Sequence, residues 1–128
     1  MSVVVLDSSA YLARLWGEDG SQVVEAYGGN YLVGSVNAAE IFTRIIERGP
    51  VDVARVKIRI LATSMNIVPF DDRQSMICAE LRISTRKLGL SLGDRACLAL
   101  AIRERATVIT ADRSWAGLDL GIEIKVIR

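Results

Sequence analysis

The sequence predicts an α/β fold in which helices cover both faces of a mostly parallel central sheet of about five strands, giving three layers in the order α/β/α. Two observations support this prediction. Short β-branched or aromatic runs alternate with longer runs whose apolar residues recur at helical spacing, and glycine or proline separates several of them. The predicted strands cover residues 3 to 6, 31 to 34, 66 to 70, 106 to 110 and 123 to 126, and the helical regions cover 9 to 27, 36 to 65, 71 to 88 and 92 to 105.

The separating residues justify these divisions. Gly28-Gly29-Asn30 ends the first helical region, Gly49-Pro50 divides the second, and Gly89 closes the third. The fourth helical region, residues 92 to 105, is apolar on nearly all sides, so we expect this helix to be buried.

The composition limits the kind of protein. A chain of 128 residues has the size of one domain, and we expect a single domain over residues 1 to 128. Hydrophobic residues make up 51% and charged residues 24%, as in an ordered globular protein. Because the net charge is only +1, a nucleic-acid partner would have to be held by a local basic patch.

The cysteines and the N-terminus indicate the compartment. Cys78 and Cys97 lie in apolar helical runs without the paired spacing of a zinc site, so we interpret both as core residues. The first apolar run has no basic residues before it and ends at Asp7, unlike a signal peptide. No run approaches the ~20 apolar residues of a membrane span. We therefore expect a reduced, cytoplasmic protein that does not bind a membrane.

Two acidic residues follow predicted strands. The first strand runs into Asp7, and the fourth runs through Ala111 into Asp112. If these strands are parallel neighbours, both carboxylates emerge at one edge of the sheet, roughly 4.8 Å apart. Carboxylates that close repel each other unless a positive charge lies between them. Since the chain contains no histidine, a divalent metal ion is the simplest partner for them.

Each acid also has a purely structural interpretation. Asp7 is placed to cap the helix that begins near Ala10, and Asp112 to cap a short helix after the fourth strand. Asp94 follows Ser91 by three residues, as in a capping box. These interpretations remain open alongside the metal site.

Glu40 has the weakest pattern of the acidic residues. On a helical wheel it lies opposite the apolar face of its helix, which is formed by Ala38, Ile41, Phe42 and Ile45. The alternative to a metal ligand is an exposed ion pair with Arg44, four residues further along the helix.

The segments around these acids resemble the four motifs of PIN-domain nucleases, in the same order. They read Val-Leu-Asp-Ser-Ser-Ala at residues 5 to 10, Ser-Val-Asn-Ala-Ala-Glu-Ile at 35 to 41, Leu-Ser-Leu-Gly-Asp-Arg-Ala at 90 to 96, and Val-Ile-Thr-Ala-Asp-Arg-Ser-Trp at 108 to 115. In length and layout the chain is most similar to the VapC toxins of prokaryotic toxin-antitoxin pairs. It departs from the family at Ala111, where Asn is frequent, and at Trp115, where Phe is commoner.

The resemblance implies a function and a set of site residues. It implies a PIN-like domain with the first and fourth strands side by side, and an endoribonuclease that cuts RNA with one or two Mg2+ or Mn2+ ions. It further implies a cognate antitoxin and a homodimer. The implied catalytic and metal-binding residues are Asp7, Glu40, Asp94 and Asp112. Ser8, Asn37 and Thr110 are placed to hydrogen-bond these carboxylates or the waters of the ion, with strand or helix capping as the alternative for all three.

Several basic residues are candidates for holding the substrate backbone. Arg95 and Arg113 directly follow two of the proposed ligands, and Arg14 lies on the first helix. Arg82, Arg86 and Lys87 form a further basic stretch. Solvated surface residues are the alternative for all of them. With few aromatic residues for base stacking, recognition of RNA by its shape is favoured.

Two other functions fit the same features less well. Another Mg2+-dependent phosphohydrolase of the haloacid type would carry Asp-x-Asp after the first strand, and this chain does not. The alternative from a different class is a PIN-fold binding module without catalysis. The presence of all four acids argues against that alternative.

Overall fold

The structure, a computed structural model, describes residues 3–128 and confirms the α/β class. Five strands form one sheet in the order β3-β2-β1-β4-β5, and all four pairings between neighbouring strands are parallel. The strands are β1 (Val4–Leu6), β2 (Tyr31–Gly34), β3 (Asn66–Val68), β4 (Thr107–Thr110) and β5 (Ile124–Val126).

Helices connect the strands. They are α1 (Ser8–Trp16), α2 (Ser21–Glu25), α3 (Ser35–Glu47), α4 (Val51–Ser64), α5 (Asp72–Ser84) and α6 (Leu92–Glu104). Two short 3₁₀ helices, Arg86–Leu88 and Arg113–Gly117, follow α5 and β4.

The sheet separates two apolar cores, which gives the three predicted layers. Val4 and Leu6 of β1 pack with residues of α1 to α4 on one face, and Val5 between them packs with α5 and α6 on the other. This alternation follows from the two-residue period of a strand. The buried run from Ala96 to Ala101 confirms that α6 lies within the core, and Cys78 and Cys97 are buried free thiols.

The strand order creates a crevice at one edge of the sheet. The chain proceeds from β1 to β2 and β3 on one side, then returns to add β4 and β5 on the other side of β1. β1 and β4 therefore pair directly, with Val4 opposite Thr107 and Leu6 opposite Ile109. In open parallel sheets, ligands bind at the carboxyl ends of the strands where the order reverses.

The first helical region contains two helices where the sequence predicted one. Gly17 ends α1 in the left-handed conformation, with φ of 65°, and Gly20 precedes α2 with φ of 93°. A Cβ atom at Gly20 would lie 2.7 Å from the backbone oxygen of Ile127. The apolar spacing continues through both helices, and for this reason periodicity alone did not separate them.

The other helix and strand boundaries lie within a few residues of the predicted ones. The second region divides at Gly49-Pro50, as predicted. β3 ends at Val68 and not at residue 70, since Pro69 has no backbone N–H to donate to a neighbouring strand. α5 ends at Ser84, where the Thr85 hydroxyl donates to the Leu81 carbonyl, and the 3₁₀ helix Arg86–Leu88 follows.

The helices of the described residues are shorter than a bilayer is thick. The longest, α4, has 14 residues, and within residues 3–128 no helix has both the length and the apolar character needed to cross a membrane. The predicted domain limits and the N-terminal prediction also include residues 1 and 2, which lie outside the described residues.

Candidate functional site

The four acidic residues line one cleft of about 630 Å³ at the carboxyl edge of the sheet. Asp7 directly follows β1, and Asp112 lies two residues after β4. Glu40 lies in the second turn of α3, which begins directly after β2, and Asp94 lies in the first turn of α6. The rest of the lining consists of Ser8, Ser9, Leu12, Val36, Asn37, Ala39, Thr43 and Arg44.

Asp7 is buried and held through both of its carboxylate oxygens. Its Oδ1 accepts from the Ala10 backbone N–H at 2.8 Å and from the Ser9 hydroxyl at 2.7 Å, and its Oδ2 accepts from the Thr110 hydroxyl at 2.6 Å. Burial raises the pKa of Asp7 to about 6. The hydrogen bonds from Thr110, Ala10 and Ser9 oppose that rise, and the charge of Asp94 adds to it.

Glu40 is held from two elements. Its Oε1 accepts from the Ser8 hydroxyl at 2.6 Å and from the Asn37 amide at 2.9 Å. The alternative for Glu40, an exposed ion pair with Arg44, is wrong, because the Arg44 guanidinium lies beside Glu47 at 3.9 Å. The first turns of α3 start at the carboxyl edge of the sheet, so a residue on the exposed face of this helix reaches the cleft.

Gly93 makes room for the Glu40 carboxylate. A Cβ atom at Gly93 would lie 2.8 Å from Cδ and 2.9 Å from Oε1 of Glu40. The Asn37 amide also donates to the Gly93 carbonyl at 3.1 Å, which joins α3 to the start of α6. The carboxylate therefore occupies a cradle that only glycine leaves open.

Asp94 and Asp112 confirm the predicted caps. Asp94 Oδ2 accepts from the Ser91 N–H at 3.2 Å, and Ser91 Oγ accepts from the Asp94 N–H at 3.1 Å, which completes a capping box. Asp112 Oδ1 accepts from the backbone N–H and the hydroxyl of Ser114, at 2.9 and 2.7 Å. Burial raises the pKa of Asp94, the bonds from Ser91 oppose the rise, and the charges of Glu40 and Asp112 add to it.

The caps occupy only part of each carboxylate. Within residues 3–128 no donor reaches Oε2 of Glu40, Oδ1 of Asp94 or Oδ2 of Asp112. Capping and ligand binding are therefore compatible here, although the sequence presented them as alternatives. Asp7 likewise caps α1 while it faces the cleft.

The donor set suits a divalent cation that keeps part of its water shell. Carboxylate oxygens are the ligands that Mg2+ prefers, and this ion takes one or two of them while retaining several waters. Within the described residues, no three carboxylates already stand close enough to coordinate one ion directly. Oxygens with unused lone pairs on three separate elements fit the holding of a hydrated ion.

The three predicted substrate arginines lie outside the lining of this cleft. Arg14 stacks 5.6 Å above the Tyr31 ring, near the amino ends of β2 and β3, because α1 carries it about 10 Å along its axis from Ser8. Arg95 donates to the Cys78 carbonyl at 3.0 Å, between α5 and α6. Arg113 donates to the Arg128 carbonyl at 2.9 Å.

Two lining residues were not predicted for the site. Ser9 bonds to Asp7 and also accepts from the Ala111 N–H at 2.9 Å, which joins the ends of β1 and β4. Arg44 places a cation at the rim of the cleft. Its spacing of four residues from Glu40 indicates that the two side chains are neighbours on α3. In the sequence this spacing was interpreted as an ion pair and not as a second residue of the cleft.

Solved structures with the same fold include three from bacterial complexes. A chain of DNA-bound VapBC from Salmonella typhimurium has a TM-score of 0.79 and 12% identity, covering 100% of both chains. VapBC-1 from nontypeable Haemophilus influenzae gives 0.76 and 12%, covering 97% of both. VapBC-5 from Mycobacterium tuberculosis, a member of the VapBC family of toxin-antitoxin systems, gives 0.68 and 24%, covering 100% of this chain and 99% of that chain.

Identities this low establish a common fold alone, and no curated protein sequence matches the chain. The family model is more specific. It matches residues 4–119, a segment that contains the first four strands and all four acidic residues of the cleft. The chain therefore belongs to the PIN domain family.

Proposed function

We propose that this protein is a metal-dependent endoribonuclease and the toxin of a type II toxin-antitoxin pair. The observation that carries the proposal is the gathering of Asp7, Glu40, Asp94 and Asp112 around one cleft, with unused oxygens on three of them. Membership of the PIN domain family supports nuclease chemistry.

The residues of the cleft have separate tasks in this proposal. Asp7, Glu40, Asp94 and Asp112 hold Mg2+ or Mn2+, and Thr110, Ser8 and Asn37 fix the carboxylates through the hydrogen bonds described above. When bound, a divalent ion polarises a phosphodiester and activates a water molecule.

Arg44 is the cation best placed to contact a phosphate of the substrate. It lines the cleft, its side chain is 58% exposed, and its ion pair with Glu47 spans a long 3.9 Å. Such a pair is weak enough to be exchanged for a phosphate.

The test is cleavage of bacterial RNA by purified protein with Mn2+ or Mg2+. We expect Asp7→Asn, Asp94→Asn and Asp112→Asn each to lower the rate by about a hundredfold or more, the scale of losing a key electrostatic group. Asp119→Asn, at an exposed residue outside the cleft lining, is the matched control and should cleave like wild type.

Circular dichroism separates loss of chemistry from loss of structure. Each inactive variant should give the far-ultraviolet spectrum of wild type. Near-normal cleavage by any one of the three variants removes that residue from the site, and normal cleavage in excess chelator contradicts metal dependence.

The partner proposal rests on the VapBC structures, which are complexes of toxin-antitoxin systems in their own organisms. Expression of this chain alone should arrest bacterial growth, and co-expression with the product of the neighbouring gene should restore it. Arrest that persists with Asp7→Asn would show that RNA cleavage is not its cause. A homodimer is proposed as well, and its test is sedimentation of the purified chain.

A further inference from the structure

A second groove of about 560 Å³ lies beside the acidic cleft. It runs between the end of α5 with its following 3₁₀ helix and the 3₁₀ helix after β4. Its lining consists of Ile83, Ser84, Thr85, Arg86, Lys87, Leu88, Ser114, Gly117 and Leu118.

The groove and the cleft share a wall. The Ser114 hydroxyl, which lines the groove, donates to Oδ1 of Asp112, which lines the cleft, at 2.7 Å. A linear polymer that has its reacting group beside Asp112 can therefore continue past Ser114 into the groove.

The groove carries positive charge that no described residue neutralises. Arg86 and Lys87 are both exposed, and the ion pairs found within residues 3–128 involve Arg44, Arg103 and Arg128 instead. The acidic cleft repels a polyanion through nearby carboxylates, and such repulsion acts over about 10 Å at 0.1 M salt. In the metal-free protein a bound polyanion would therefore be held by Arg44 at the rim of the cleft and by cations beyond it.

The remaining lining fits the other parts of a nucleotide. The hydroxyls of Ser84 and Ser114 donate to the Leu81 carbonyl and to Asp112, so their oxygens remain free to accept hydrogen bonds from ribose hydroxyls. Ile83 and Leu88 are 74% and 41% exposed, so apolar surface is available to ribose and base faces.

We propose that this groove is a subsite for the RNA strand, in which Arg86 and Lys87 bind phosphates that lie further along the strand from the scissile bond. This inference rests on the proposed ribonuclease function. Because Ser114 joins the groove to Asp112 in the cleft, the groove suits an RNA strand that continues into the cleft. An acidic protein segment is a less suitable occupant, because nothing would require it to continue towards the carboxylates.

The test combines two substitutions, Arg86→Gln and Lys87→Gln. Binding of a fluorescein-labelled 20-nucleotide oligouridylate is measured by anisotropy in chelator, from 50 to 300 mM NaCl. Each phosphate contact on a single strand contributes about 0.7 to the slope of log affinity against log salt. The double variant should lower that slope by about 1.4 and weaken binding by roughly tenfold at the lower salt.

The matched control is Arg55→Gln with Lys57→Gln. These residues are an exposed arginine and an exposed lysine on α4, a helix that contributes to neither the cleft nor the groove. The control removes the same charge and should bind like wild type. The proposal is overturned if both double variants lose RNA affinity equally, if the groove variant loses none, or if wild type does not bind the oligouridylate.

A small substrate separates the groove from the proposed chemistry. Bis(p-nitrophenyl) phosphate reaches the acidic cleft but is too short for the groove, so the groove variant should hydrolyse it with Mn2+ at the wild-type rate. If wild type cleaves neither this compound nor RNA, the ribonuclease proposal fails. If wild type cleaves both, and the groove variant retains RNA affinity while it loses binding of the neighbouring gene's product, the groove belongs to that protein and the subsite proposal is wrong.

Discussion

Three of the four carboxylates of the cleft use one oxygen for structural hydrogen bonds and leave the other without a donor among the described residues. Asp94 and Asp112 each cap a helix through one oxygen, and Glu40 is fixed through Oε1 by Ser8 and Asn37. A fixed carboxylate loses little side-chain freedom when it later binds a cation. Hydrogen bonds that seem purely structural in the sequence would thus prepare the proposed metal site.

Asp7 makes the stability of the metal-free protein depend on pH. Its pKa lies at about 6 in the folded protein, against the ordinary aspartate value of 3.8, so the folded state retains a proton that the unfolded state has released. Stability should therefore fall as pH rises from about 4 to about 6, by an amount on the order of 3 kcal/mol.

Asp7→Asn isolates that contribution. Asparagine caps a helix about as well as aspartate but does not titrate. Urea unfolding of both proteins in chelator at pH 4.5, 5.5 and 7 should show the variant gaining relative to wild type as pH rises. A constant difference across that range would show that Asp7 is not the group that titrates.

Gly93→Ala tests the cradle around Glu40. The added methyl group must displace the Glu40 carboxylate, and disturbing the support of a ligand typically lowers metal affinity 10- to 100-fold. The metal-free fold should not lose stability through helix propensity, because alanine favours a helix more than glycine does. Mn2+ titration and chelator melts measure these two effects.

Gly49→Ala is the matched control for that change. Gly49 lies between α3 and α4, where a Cβ atom would meet open space. Its Mn2+ affinity should equal that of wild type. Unchanged affinity in Gly93→Ala would remove Glu40 from the metal site.

Among the helices, the first turn of α6 carries a cap and a proposed metal ligand in one side chain, Asp94. Asp94→Asn loses the charged part of its capping box, a cost of about 0.5 to 1 kcal/mol, but it also relieves the burial and the repulsion that raise the pKa of this group. We expect these effects to offset each other in chelator. Mn2+ should stabilise folded wild type by about 2.7 kcal/mol at a hundredfold excess over the dissociation constant. In Asp94→Asn this stabilisation should be much smaller.

Ser91→Ala distinguishes the cap from the ligand. Ser91 accepts from the Asp94 N–H, so the variant loses a cap but no carboxylate. Its melting temperature should drop in chelator, while the increase on adding Mn2+ should match that of wild type. If Mn2+ raises the melting temperature of Asp94→Asn as much as that of wild type, Asp94 serves only as a cap.

The elements were predictable from the sequence to within a few residues because local chemistry defines them. β-branched runs gave the strands, and Gly49-Pro50 gave the break between α3 and α4. The division at Gly17 and Gly20 was missed, because the second glycine is required by its contact with Ile127, which is remote in sequence.

Site prediction was less complete for a similar reason. The convergence of Asp7 and Asp112 follows from strand ends and could be predicted. The location of Arg44 in the cleft, and of Arg14 away from it, depends on how far each helix extends from the sheet edge. Periodicity shows which face of a helix is exposed, but not what that face meets.

For the whole molecule, topology explains how a chain of nearly neutral charge presents an acidic centre. The reversal of strand order at β1 and β4 brings acids from four separate segments to one edge of the sheet. The net charge is only +1, so the acidic field is local, with Arg44 at the rim and Arg86 and Lys87 beyond it.

Calorimetric titration of Mn2+ into metal-free protein at pH 7.5 tests directly whether this acidic edge holds a divalent cation. Wild type and Asp119→Asn should bind the ion alike. Asp7→Asn and Asp112→Asn should bind it at least about tenfold more weakly, because each removes a negative charge from the cleft. Absence of binding by wild type, or equal affinity in all four proteins, would show that these carboxylates do not hold the ion.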